Sequence, residues 1–201
     1  RDEIARHLVQ GNVVPQHSDV LLGNIAALEN QSPLADKVIL TLVNIEEESA
    51  LKNGQNFMKN TITNGIESSP RPVYLNLYIL FTATLPDNLG ASDEPYQRAL
   101  QRIAAIVEFF QSKKAFSLQN SPGFEPTNLN SESLNELRLI PELYTLTFEQ
   151  INHLWGSLGG KQSPFVMYKI RLVKVQSLVR EEAPLIEIIE QDARERSLGT
   201  A

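Results

Sequence analysis

The feature that most constrains the fold is residues 73–84, where apolar and mixed side chains alternate without a break. Val73, Leu75, Leu77, Ile79, Phe81 and Ala83 recur at period two, and Tyr74, Asn76, Tyr78, Thr82 and Thr84 fill the positions between them. That period places successive side chains on opposite faces of an extended strand. The β-branched and aromatic residues suit a pleated surface. A central strand covered by helices on one side is therefore expected. A long strand needs neighbours, so the chain is committed to a sheet.

Other segments supply those neighbours. Residues 37–48 read as a strand, with Val38, Leu40 and Leu42 pointing one way and Ile39, Val43 and Ile45 the other. Its start is apolar on both faces and its end turns polar at Asn44 and Glu46, so it should emerge from the core into solvent. Residues 20–25 read as a short strand, with Gly23-Asn24 marking a bulge or a close backbone approach. Residues 134–143 hold another strand, broken by Pro141, and residues 165–176 a last one with Val166, Tyr168, Ile170 and Leu172 on one face. Lys169, Arg171 and Lys174 make that strand basic, as an edge strand would be.

Helical spacing appears in three places. Ile4, Ala5 and Leu8 mark a helix over residues 2–10. A second runs from Pro95, suited to a first helical turn, to Lys113. Its expected core face is Leu100, Ile103, Val107 and Phe110, with Ala104 and Ile106 beside it; Arg98, Gln101, Arg102 and Glu108 should face outward. Thr147-Phe-Glu-Gln150 is a capping box opening a short helix with Phe148, Ile151, Leu154, Trp155 and Leu158, stopped by Gly159-Gly160. Residues 50–72 and 114–133 read as long polar loops of the kind that are usually functional. The fold class expected is α/β (α+β): a mixed, mainly antiparallel sheet flanked by helices. One domain should span residues 1–180, followed by a charged arm over 181–201.

Composition narrows the chemistry. The chain has 201 residues, 42% of them hydrophobic and 21% charged, which suits a globular protein with its own core. It has no cysteine, so disulfides and thiol chemistry are excluded. A net charge of -6 argues against a general nucleic-acid binder and fits protein partners. No apolar run approaches the roughly 20 residues of a membrane helix. The first residues are charged and do not resemble a signal peptide. The sequence begins without methionine and its first helical pattern stops abruptly at Gln10, so residues are expected to be missing ahead of Arg1 or after Gln10.

The remaining conspicuous residues fit ordinary structural roles. His7, His17 and His153 share no ligand spacing. Glu46, Glu47 and Glu48 are consecutive, so a strand would send them to alternate faces and away from a common ion. Ser157 in Gly156-Ser157-Leu158-Gly159 sits at a helix end and not at the strand-to-helix turn of a nucleophile elbow. Gly159-Gly160-Lys161-Gln162-Ser163 lacks phosphate-loop spacing. Trp155 and the Phe109-Phe110 pair read as core and not as a ligand cage. No catalytic, cofactor-binding or metal-binding residue is assigned, and no cofactor is expected. The second and last strands could present open edges for strand addition between subunits, or edges protected by their charges.

Several strings together carry a family resemblance. They are Val20-Leu-Leu-Gly-Asn-Ile-Ala26, Lys37-Val-Ile-Leu-Thr-Leu-Val-Asn-Ile-Glu-Glu-Glu48, Pro72-Val-Tyr-Leu-Asn-Leu-Tyr78, Tyr96-Gln-Arg-Ala-Leu-Gln-Arg-Ile103 and Phe109-Phe-Gln-Ser112. Over residues 2–180 the chain resembles the N-terminal domain of the cap, or tail-terminator, proteins of phage-tail-like contractile injection systems. The resemblance implies an α/β fold similar to phage tail terminators. It also implies a homo-oligomer, a hexameric ring that ends the inner tube and anchors the last sheath ring, with no catalytic residue or cofactor. Its partners would be tube and sheath proteins, with neither nucleic acid nor membrane. Assembly would be cytoplasmic, and the finished particle could be released from the cell. Another tail component, such as a tube or baseplate adaptor, and a carried effector enzyme are the alternatives.

Overall fold

In the computed structural model of the chain, the described residues are 1–28, 36–51, 57–59, 66–68, 71–86, 93–117, 120–121, 138–159, 162–175 and 181–182. In chain order the elements are α1 (Asp2–Gln10), β1 (Val20–Leu22), α2 (Ile25–Leu28), β2 (Val38–Glu47), β3 (Phe57–Lys59), β4 (Ile66–Ser68), β5 (Val73–Ala83), α3 (Glu94–Ser112), β6 (Phe116–Ser117), β7 (Arg138–Leu143), α4 (Phe148–Ser157), β8 (Phe165–Val175) and β9 (Glu181–Glu182). They fall into two units, one of Arg1–Lys52 with Val73–Val175, the other of Asn53–Pro72 with Gln176–Ala201.

The first unit holds a six-stranded sheet in the order β1-β2-β5-β8-β7-β6. β1 runs parallel to β2, and every other pairing is antiparallel. The mixed, mainly antiparallel sheet expected from the sequence is therefore present, with β5 near its centre. Both faces of β5 are covered in its second half, where the sequence suggested one. Phe81 packs in a cluster with Ile4 and Leu8 of α1 and Ile106 and Phe110 of α3. Tyr78 and Leu80 face the other way, against Leu154 of α4 and Met167 of β8. Trp155 joins Ile25 and Ile39 on that second face.

The capping box holds: Gln150 N–H donates to Thr147 Oγ1 at 3.3 Å and Thr147 N–H to Gln150 Oε1 at 2.9 Å. Phe148, expected on the apolar side of this helix, is 88% exposed at its first turn. Pro141 does not break β7. Tyr144 N–H donates to the Met167 carbonyl, so alternation turns residue 141 away from β8, where a missing N–H costs no ladder bond.

The face of α3 is rotated from the one expected. Its buried residues are Pro95, Ala99, Arg102, Ala105, Ile106, Phe109 and Phe110, while Leu100 is exposed. Apolar counting alone mis-set the phase because Arg102 lies inside, 2% exposed, with its guanidinium on Asp36 at 3.0 Å. Asp36 occupies the left-handed region, φ 61°.

The strand expected over residues 20–25 ends at Leu22, and α2 begins at Ile25. The reason is Thr41, whose hydroxyl donates to Gly23 O at 2.8 Å and accepts from Ile25 N–H at 3.3 Å. The side chain and backbone there satisfy the turn in place of further ladder. In the second unit, part of the 50–72 loop is an antiparallel hairpin, β3 with β4, and β9 adds to β4. Residues 52–56, 60–65 and 69–70 of the 50–72 loop, most of the 114–133 loop and nearly all of the 181–201 arm lie outside the described residues.

Candidate functional site

One end of the sheet carries the exposed half of β2. There, residues 42–47 of β2 lie beside the first half of β5, which lies beside the last residues of β8. The sequence changes character at this place, from four buried residues, Val38 to Thr41, to a largely exposed run from Leu42. The anticipated emergence of β2 into solvent is thus observed.

A register shift between Leu42 and Asn44 places Val43 as an extra residue opposite β5. A bulge of this kind changes which residues share a face. Ile45, expected opposite to Leu42, therefore aligns with Leu77, as Leu42 aligns with Ile79. Both partners pack on the α1–α3 core. Leu42 and Ile45 form one apolar edge, 49% and 54% exposed.

The opposite face of this sheet end is polar. Glu46 accepts from the Tyr78 hydroxyl at 2.7 Å, and Glu48 accepts from Asn76 Nδ2 at 3.0 Å. The Glu46 bond and burial push the Tyr78 hydroxyl up to about 12. The Asn76 bond holds the Glu48 carboxyl below its ordinary range. Lys169 lies 5.5 Å from the Tyr78 ring centroid, and Arg171 pairs with Glu142 at 2.9 Å. Glu47 aligns with Leu75, on the other face from Glu46. The three glutamates do not converge, in keeping with strand alternation.

The basic strand β8 is not the edge strand expected, since β5 and β7 pair on its two sides. Its Lys169 and Arg171 are used in contacts across neighbouring strands. β2 is also interior at its start, but β1 pairs only with Val38, Ile39 and Leu40.

A separate pocket of about 330 Å3 opens on the α1–α3 side of the sheet. Phe81, Phe109, Phe110, Phe116, Leu77 and Ile170 line it, together with Arg1, Asp2, Glu3 and Arg6 of the α1 end. Its acidic groups are paired: Asp2 accepts from Arg1 Nε at 2.7 Å, and Glu3 bonds Lys113 at 2.7 Å. Phe109 and Phe110 are buried core residues as expected, and they also floor this pocket.

The histidines stay apart. His7 stacks near Phe109, with ring centroids 5.2 Å apart. His17 starts a short turn before β1, and His153 faces Glu149 at 3.8 Å on an exposed side of α4. Among the described residues, no group of three or more His, Cys, Asp or Glu side chains could hold a metal ion. Ser157 donates to Leu154 O at 2.8 Å, as a helix-end hydroxyl does. Gly160 and Lys161 lie outside the described residues.

The profile of the Pvc16 N-terminal domain family matches residues 1–187. Among solved structures, the sheath/tube terminator of PVC, an extracellular contractile injection system, in its extended state, is similar at TM-score 0.53 and 14% identity. The likeness covers 98% of this chain and 64% of that one, so the chain spans less than two thirds of the terminator's length. The tube-terminating cap of the anti-feeding prophage is similar at TM-score 0.45 and 15% identity, over 79% of this chain and 50% of that one. No protein of curated function matches the sequence significantly.

Proposed function

We propose, because the chain belongs to the Pvc16 N-terminal domain family, that it is a structural terminator of a contractile injection particle. It ends the inner tube and anchors the last sheath ring, and it does so by packing and not by turnover. The family match over residues 1–187 is the observation that carries this reading. The fold's likeness to a sheath/tube terminator along nearly the whole chain supports it.

The site's physical character agrees. Exposed apolar residues beside a charged strand end suit a protein contact more than a reaction. A terminator must bind a ring already made and offer no surface for the next one. A closed ring of identical copies, six by the family resemblance, satisfies this with one repeated contact. Its partners are the tube and sheath proteins of the particle. The chain is made in the cytoplasm and becomes part of a particle that acts outside the cell.

Particles assembled without this chain test the reading. Negative-stain images should show tubes of uncontrolled length or tubes lacking sheath. Complete particles of normal length would overturn it.

A further inference from the structure

Phe148 opens α4 with 88% of its surface exposed, the most of any large apolar residue described. An isolated exposed apolar residue is ordinary. Phe148 differs in being held. The Thr147–Gln150 capping box fixes the turn that carries it, so the backbone presenting the ring has little freedom to lose on contact. Glu149 follows about a quarter turn round the helix, beside the ring and not behind it. Among the described residues its carboxylate has His153 at 3.8 Å as a partner, an exposed pair that constrains it weakly.

The same chain carries a pocket of matching chemistry. The pocket on the α1–α3 side is about 330 Å3, at the lower end of the roughly 300–1,000 Å3 of ligand sites, and suits one large side chain. Its walls are aromatic. Phe81 and Phe110 cross at 67°, Phe109 and Phe110 at 71°, and Phe110 and Phe116 at 73°. A ring entering beside them can extend the same edge-to-face packing. At the rim, Asp2 is bonded by Arg1 and Glu3 by Lys113, while Arg6 is exposed and has no partner among the described residues. The pocket and Phe148 belong to opposite sides of one sheet. Phe81 and Phe110 pack in the cluster under α1 and α3, whereas Leu154 of α4 packs with Tyr78 and Leu80 on the other side. Phe148 does not line the pocket of its own chain. A second copy can therefore bring its Phe148 to this pocket while its own pocket receives a third.

We infer that Phe148 of one copy of this chain inserts into the α1–α3 pocket of the next, with Glu149 meeting Arg6 at the rim. The two surfaces differ, so the contact is head-to-tail and repeats from copy to copy. Such a contact closes into a ring when its rotation divides a full turn. The inference rests on the terminator reading for its ring and names the contact that builds it.

The test is analytical ultracentrifugation of the full chain and its variants, with thermal melting of dilute protein as a check on folding. Wild type should sediment as one multimer. Phe148→Ala should raise the concentration for half-assembly at least about tenfold, as loss of a central aromatic anchor does. Its melting temperature should stay near that of wild type, because the ring is exposed in the single chain. Arg6→Glu and Glu149→Arg should each weaken assembly, more at low salt than at high salt, and the double variant should recover most of what either loses. If Phe148→Ala melts early, the exposed Arg6 and Glu149 variants decide in its place. A monomeric wild type would leave the pocket to some other protein and overturn the inference. So would variants that assemble like wild type, or a double variant no better than the singles. Tube length in particles lacking the chain tests the terminator reading separately, so a ring that survives these substitutions refutes the contact alone.

Discussion

Arg102 shows how a single side chain can set the orientation of a helix. Its guanidinium is buried and bonds Asp36, which also bonds Arg98 at 3.1 Å. Burial pushes the Asp36 carboxyl up, but the two guanidiniums outweigh it and hold the group below its ordinary value. A depressed carboxyl contributes stability above its unfolded value, about 3.9, and loses it as pH falls through the folded value. Asp36→Asn should therefore cost about 1–3 kcal/mol at pH 7, mostly by leaving Arg102 buried and unpaired. Urea titrations should show this gap closing below about pH 4. A gap unchanged at pH 2 would place the effect elsewhere. Tyr78 has the opposite sign. Its hydroxyl, raised to about 12 by Glu46 and burial, contributes stability below its ordinary value of 10.0 and loses it as pH rises through the folded value. Tyr78→Phe should cost about 1 kcal/mol at pH 7, and the gap should narrow between about pH 10 and 12 in thermal melts.

At the scale of elements, periodicity was legible and phase was not. The alternation of residues 73–84 located β5 to within a residue, and the apolar-to-polar change in residues 37–48 located where β2 leaves the core. The bulge at Val43 was invisible, because a β-branched residue in a run of strand formers carries no mark of being the extra one. Unbroken period two accordingly puts Ile45 on the face opposite to the one it occupies. The α3 phase failed for a related reason: an arginine in a helix reads as solvent-facing unless its aspartate, 66 positions earlier, is known to sit against it. Local chemistry read better. Thr147 and Gln150 need only each other, and the box forms. Thr147→Ala should cost about 1 kcal/mol in urea denaturation. An unchanged unfolding free energy in that variant would mean that the box adds nothing to the stability of α4.

At the scale of the molecule, the sheet-centred class followed from the strand patterns, but the strand order did not. Placing β8 between β5 and β7 takes a long-range pairing that no local signal encodes, so from sequence the basic strand reads as an edge. The functional surface was half legible. Three consecutive glutamates drew notice, whereas the shared face of Leu42 and Ile45 depends on the bulge between them. The central claim is that this chain terminates a particle, and its position along an assembled particle tests that most directly. Particles carrying a tagged copy of the chain, imaged with a bound label, should show label at one end only, distal to the baseplate. Label repeated along the shaft or confined to the baseplate end would contradict the account.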